Sequence, residues 1–391
     1  MSGSLPSLRR AAAFVLVASG TVIGLAGTDL VLPAVPSLPA ALGGTLERAQ
    51  LVLAAFTGGT VVGLLMFGEL GNRFDQRKLL AGSLLVYALV SALAAMAPSL
   101  DALIGLRAVQ GASATAAAVF APGILRALYG DEDAVGALGR ISSIEVLAPA
   151  LGPIAGLWLL NAFGWRASFH LLAALAFSLG LLVLFWRRLL PDAPRRNGTG
   201  GYRHLLSNWT FVRSAIEHAA TVGGLLLFVF GAPTVFVVDL GATVTDFIIM
   251  QAIGITVFIV LANVSGRLVK RFTVEWVVRA GALIFAVGAV AMLVYAVAGG
   301  ADTAIVTAIF LLVNGGLGIR GPAGFHQAIV AAEDDARGSA FVIMAMLGVA
   351  AVGTALVAPF ITDGLVPLAA VTAMLAVTAL LLRFSASPAR A

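Results

Sequence analysis

The sequence predicts an all-α integral membrane protein with 12 transmembrane helices in two pseudo-symmetric six-helix bundles. Three observations predict it. Hydrophobic residues make up 60% of the 391 residues and charged residues 11%, where a soluble domain carries about 25% charge. The apolar residues fall into about a dozen stretches near the ~20 residues that cross a hydrocarbon core. Arg and Lys are concentrated in alternate gaps between those stretches.

The expected spans are 10–36, 47–70, 77–97, 100–128, 135–162 and 165–187, then 211–238, 244–268, 273–298, 302–329, 338–362 and 365–385. The first runs on into Pro33 and Pro36 and is too long for a signal-peptide core, so it reads as a retained helix. The polar stretch LPDAPRRNGTGGYRHLLSNW separates two sets of six, and its Pro, Gly and Arg content reads as a linker. The resulting domains are 1–190, a linker 191–208, and 209–391. GELGNRFDQRK after the second span and SGRLVKRF after the eighth are the best trace of duplication. Basic residues sit at Arg9 and Arg10, at Arg73, Arg77 and Lys78, in the linker, at Arg267, Lys270 and Arg271, and at Arg383 and Arg390. Arg126 and Arg140 flank the fourth gap and Arg337 lies in the tenth, while the odd-numbered gaps hold few, chiefly Arg48 and Arg166. The positive-inside rule then places both termini in the cytoplasm.

Composition also excludes. The basic pI near 10.2 is explained by topology, so no nucleic-acid partner is expected. With no Cys there is no disulfide framework and no thiol chemistry. No G-x-x-x-x-G-K-[ST] loop, Ser/His/Asp set or His-rich metal cluster stands out. The chain reads as no enzyme, with no metal and no cofactor.

Ionisable residues inside a membrane are expensive and point to function. Asp29 lies in the first span, four residues before Pro33. Arg107 heads Arg107-Ala108-Val109-Gln110-Gly111 in the fourth, and needs a carboxylate or carbonyl partner. Glu145, in the fifth, shares a face with Pro149, Gly152 and Gly156. That smooth stripe, with Pro153, would pack tightly against a helix of the second half. Arg320 lies deep in the tenth span between Gly316 and Gly324, which leave room for its side chain or a substrate. It is expected to pair with Glu145 or Asp29, or to attract an anion. Glu217 in the seventh span, with His326 and Gln327 in the tenth, are candidates for an inner gate. In the loop after the second span, Gly68 would permit close helix approach, and Arg73, Arg77 and Lys78 can reach carboxylates and helix ends.

Several of these segments resemble the major facilitator superfamily, and most closely the drug/proton antiporters of the MdfA and Bcr/CflA type. Gly68 to Lys78 is similar to the signature G-x-L-A-D-R-x-G-R-[KR], with Asn72 and Asp75 standing for its Asp and second Gly. The charge relay of that loop would then run through Asp75. Arg107, Gln110 and Gly111 match R-x-x-Q-G. Ala148 to Gly156 resembles the antiporter signature G-x-x-x-G-P-x-x-G-G, with Ala148 and Leu157 at two of its glycines. The resemblance implies that Asp29 carries the proton or binds a cation, with Arg107 coupled to it. The family places a second acid on the first helix where this chain has Thr21; Glu145 is the candidate to replace it.

The expected function is proton-coupled export of lipophilic, drug-like small molecules by alternating access. A dedicated exporter of one endogenous metabolite and a non-transporting membrane sensor are the alternatives. The expected partners are a small-molecule substrate, protons and the lipid bilayer of a bacterial inner membrane, with the chain working as a monomer.

Overall fold

The computed structural model describes residues 7–130, 137, 140–141, 144–145, 147–191, 202–331 and 335–384. Among the described residues there are helices and no strand. The long helices are α1 (Ser7–Asp29), α3 (Leu46–Arg73), α4 (Gln76–Ala95), α5 (Leu100–Ser113), α6 (Ala116–Tyr129), α7 (Ala148–Phe163) and α8 (Arg166–Phe185). In the second half they are α10 (Trp209–Val238), α11 (Val244–Arg271), α12 (Val274–Val297), α13 (Thr303–Val330), α14 (Asp335–Val357) and α15 (Leu365–Phe384). Two short helices, α2 (Leu38–Leu42) and α9 (Tyr202–Ser207), are also described. Among the described residues, eleven helical segments are long and apolar enough to cross a membrane, and α7 is a shorter apolar helix. Much of the expected fifth span before α7 lies outside the described residues, as do residues 192–201 of the linker. The rest of the linker is not all irregular, because α9 forms within it.

Two compact units result. Unit 1 is Met1–Gly44 with Ala55–Gly198; unit 2 is Thr45–Ala54 with Thr199–Ala391. Residues 45–54, expected in the first domain, group with unit 2. There the Gln50 amide donates to Thr234 Oγ1, and Thr362 Oγ1 donates to Glu47 at 3.2 Å.

The first span is not one continuous α-helix. α1 stops at Asp29, and a 3-10 turn follows over Leu32–Ser37. Proline is the cause. Pro33 has no N–H to offer the Leu30 carbonyl at 3-10 spacing, while the Ala34 amide bonds to Val31. The Leu30 carbonyl instead accepts Ser168 Oγ of α8 at 3.0 Å. Just before it, the Val31 amide turns to Thr28 rather than to Gly27. The Gly27 carbonyl is thereby released from the helix ladder.

In unit 1, α3 and α5 approach through small residues. A Cβ on Gly111 would fall 1.9 Å from the Phe56 carbonyl oxygen, and one on Gly59 would fall 2.0 Å from that of Ala108. Lipid tails are as apolar as Leu, so helices gain by close van der Waals packing rather than by hydrophobic exclusion. Gly68 does not share this role. Its surroundings are open, whereas a Cβ on Gly71 would meet the Phe120 ring at 2.6 Å. The close approach near that loop therefore belongs to Gly71, one turn further on, which faces α6. Unit 2 is joined in the same manner, with α12 and α13 meeting at Gly281 and Gly316.

These contacts order the glycines by cost. Gly111→Ala, whose clash is with backbone, is expected to destabilise the protein by about 1–3 kcal/mol, the usual cost of overpacking. Gly68→Ala is expected to be near neutral. Thermal unfolding of the two variants in detergent checks the order.

Candidate functional site

Arg107 organises the polar centre of unit 1. It is 0% exposed, so it cannot snorkel to a surface. Its Nη1 donates to the freed Gly27 carbonyl at 2.8 Å and to Gln110 Oε1 at 2.7 Å. Its guanidinium lies 4.0 Å over the Phe56 ring. Gln110 Nε2 donates to Ser91 Oγ at 2.7 Å, and Ser91 Oγ donates to the Tyr87 carbonyl at 2.7 Å. The R-x-x-Q-G spacing thus fixes Arg107 to α1 on one side and to α4 on the other. Ser91, Tyr87 and Phe56 belong to this centre and were not legible as such, because Ser, Tyr and Phe are ordinary residues of apolar helices.

Asp29 ends α1, two residues beyond the carbonyl that Arg107 holds. Gly152 packs directly on it: a Cβ on Gly152 would lie 2.4 Å from the Asp29 Cβ. Gly156 sits against the Leu30 carbonyl, at 2.5 Å by the same measure. The sequence points to a helix of the second half as partner of this α7 stripe; the partner found is the end of α1. The reason is the 3-10 turn, which bares backbone that only glycine can approach. Pro153 is buried in α7 and Pro149 partly so. Asp29 has no hydrogen bond or ion pair among the described residues. Glu145 is partly buried, and its carboxylate sits against the Thr21 hydroxyl. Glu145 therefore stands beside the α1 position where the resemblance lacks its second acid.

Unit 2 carries a separate charged cluster. Arg320, 1% exposed, donates from Nη2 to Glu217 Oε1 at 2.8 Å. Glu217 Oε2 lies 3.6 Å from Arg383 Nη1. Arg383 also pairs with Glu275, which pairs with Arg279 at 2.8 Å. Arg320 was expected to pair with Asp29 or Glu145; its partner is Glu217, because α10 presents a carboxylate to it inside the same unit. Glu217 is thereby buried at 4% exposure in an ion pair. Gly316 leaves room for α12 rather than for the arginine, while Gly324 does lie along the guanidinium, 3.4 Å from Nη2 to a built Cβ. Arg383 and Glu275 were missed, since each reads as an ordinary helix-end charge. Gln327 is partly buried; the side chain of His326 lies outside the described residues.

In the loop between α3 and α4, Asp75 caps α4 by accepting the Arg77 amide at 2.9 Å. Its two oxygens accept Arg77 Nε and Nη2 at 3.0 and 2.9 Å. Arg73 pairs with Glu69 on the exposed side of α3. The side chain of Asn72 lies outside the described residues. The Arg77 side chain beside Asp75 holds its carboxyl below the usual value of 3.8.

Two all-helical units, spans of membrane length, and guanidiniums buried inside each unit define a multi-pass membrane protein. The chain belongs to the Major Facilitator Superfamily, matched over residues 17–358. It is 28% identical over 290 residues to a chloramphenicol resistance protein of Pseudomonas aeruginosa, covering 72% of this chain and 67% of that protein. It is 24% identical over 262 residues to a bicyclomycin resistance protein homolog of Haemophilus influenzae, covering 65% of each. The chain spans about two thirds or less of the length of the curated relatives it matches. A solved bacterial homolog of the human lysosomal transporter Spinster has the same fold, with a TM-score of 0.69 at 14% identity, over 98% of this chain and 100% of that one.

Two outcomes follow from the charges. Glu217→Gln leaves Arg320 buried without a counter-charge and is expected to cost about 3–5 kcal/mol. Thermal unfolding should show it as a large loss, and the Glu217→Gln/Arg320→Gln pair should lose less than the sum of the singles. Asp75→Ala removes a helix cap and is expected to cost about 1 kcal/mol. Because the Asp75 carboxyl is depressed in the folded state, its contribution is present at neutral pH. It should fade as pH falls through and below 3.8, so the wild-type and Asp75→Ala unfolding temperatures should converge in acid.

Proposed function

We propose that this protein is a proton-coupled secondary transporter that exports lipophilic, drug-like small molecules by alternating access. The observation that carries the reading is the contrast between the two units. Asp29 lies in the polar centre of unit 1 with no ion pair among the described residues, two residues from the carbonyl that holds Arg107. Glu217 in unit 2 is held by Arg320 and Arg383. A carboxylate whose charge a guanidinium already balances has little reason to exchange protons. One without that balance is the natural carrier. Asp29, at the C-terminal end of α1, and Glu145, beside Thr21 about two turns before it, are the exchanging pair. Arg107 stabilises the deprotonated state from its fixed seat on Gly27. Proton and substrate are coupled because both bias the same state of unit 1.

The resistance proteins among the relatives support drug-like substrates, and apolar helices with few charges suit lipophilic ones. The energy source is the proton gradient, without a bound cofactor. The protein works as a monomer in a bacterial inner membrane, with both termini in the cytoplasm, as the Arg and Lys distribution directs.

The test is proton movement in energised inside-out vesicles on adding lipophilic cations or neutral drugs. Substrate-induced proton release is expected in the wild type, abolished in Asp29→Asn and reduced about tenfold or more in Glu145→Gln. No response to any compound in the wild type would sink the multidrug reading and favour a dedicated metabolite exporter. Unchanged release in Asp29→Asn would move the coupling away from α1.

A further inference from the structure

Five hydrogen bonds close a ring through α1, α5 and α4 in unit 1. Arg107 Nη1 on α5 donates to the Gly27 carbonyl of α1 at 2.8 Å and to Gln110 Oε1 at 2.7 Å. Gln110 Nε2 donates to Ser91 Oγ of α4, and Ser91 Oγ donates to the Tyr87 carbonyl, both at 2.7 Å. Tyr87 Oη returns to α1, where the Ile23 carbonyl accepts it at 3.4 Å, about one turn before Gly27. Arg107, Gln110 and Ser91 are buried to 0% exposure and Tyr87 to 1%, so bulk water does not compete for these groups. Tyr87 Oη also stands over Gly27, 2.6 Å from a built Cβ.

The direction of the chain from Arg107 to Tyr87 is fixed at both ends. A guanidinium has only donors, so the Gln110 atom that faces it must be the oxygen. The amide nitrogen then faces Ser91, whose oxygen must accept it. A hydroxyl has one proton, and that of Ser91 goes to a backbone carbonyl, which only accepts. Each middle group therefore has one allowed orientation. Reversing the Gln110 amide would set its nitrogen against the guanidinium, donor on donor. Ser91 opposes that reversal, because it offers the nitrogen its acceptor. Without the hydroxyl, either orientation of the buried amide leaves a donor unmatched.

We propose that Ser91 is a positioning residue for Arg107 in proton exchange. It acts through Gln110. The hydroxyl orients the amide, and the amide oxygen shares Nη1 with the Gly27 carbonyl. Two acceptors on different helices fix where that nitrogen points, and so keep the guanidinium at the end of α1, two residues from Asp29. The effect on coupling rests on the export reading; the hold on Arg107 does not.

The test reads two quantities in the full-length chain. Hydrogen exchange of the peptide covering the end of α1, followed by mass spectrometry in detergent, reports the hold on Gly27 and needs no transport. Substrate-induced proton release in inside-out vesicles reports coupling. Ser91→Ala is expected to raise the exchange about tenfold and to lower proton release about tenfold, the effect of one buried hydrogen bond. Ser91→Thr keeps a hydroxyl that can bond the carbonyl four residues back, and should restore both. Gln110→Met has no amide to orient, so adding Ser91→Ala to it should change neither quantity further. Wild-type exchange in Ser91→Ala overturns the proposal. So does raised exchange with unchanged proton release, and so does a further effect of Ser91→Ala on the Gln110→Met background, because Ser91 then acts by packing. If the exchange follows the expected pattern while the wild type itself releases no protons, the export reading fails and the hold of Ser91 on Arg107 stands.

Discussion

Burial of a guanidinium is the constraint on which both units depend. An arginine that reaches neither water nor lipid headgroups must find its acceptors inside the protein, and each unit solves this differently. Unit 1 gives Arg107 a backbone carbonyl and a glutamine oxygen. Unit 2 gives Arg320 a carboxylate. The first solution requires a break in a helix, since a carbonyl inside an intact α-helix is already taken. The second requires a second charge at comparable depth, and that charge draws in Arg383 and Glu275.

The helix break in unit 1 has several consequences from one cause. Pro33 cannot donate, so the chain leaves the α-helix after Asp29 and tightens into a 3-10 turn. The Gly27 carbonyl becomes available to Arg107, and that of Leu30 to Ser168. The bared backbone then admits only glycine on the facing helix, which is why Gly152 and Gly156 lie where they do. Among the described residues Asp29 has no ion pair, and its covalent neighbours hold it in the middle of this arrangement. A carboxylate positioned in this way keeps its place whether or not it carries a proton, as the proposed coupling role of Asp29 requires.

Membrane helices gain little from burying apolar surface against one another, so small residues set where they touch. This explains why the glycine pattern of the antiporter signature could be read from the sequence while its partner could not. Periodicity shows that Gly152 and Gly156 share a face. It does not show which helix meets that face. The same limit applies to Gly68 and Gly71: both lie in the loop signature, and only the packing of α6 decides that Gly71 is the contact.

The sequence by itself determined the helical class, the order of the apolar spans, the break in basicity between alternate gaps, and the local motifs. These depend on composition, length and periodicity, which are properties of neighbouring residues. It also marked Asp29, Arg107, Glu145 and Arg320 as residues too polar for their surroundings, and Glu217 as a gate candidate whose burial only the structure shows. Tertiary structure alone decided their partners. Arg320 and Glu217 are 103 residues apart in the chain, and Glu217 and Arg383 are further still. No spacing rule spans such distances; the pairing follows from which helices pack together. Ser91, Tyr87 and Glu275 escaped notice for the same reason, since their chemistry becomes visible only when a buried arginine or its partner is placed beside them.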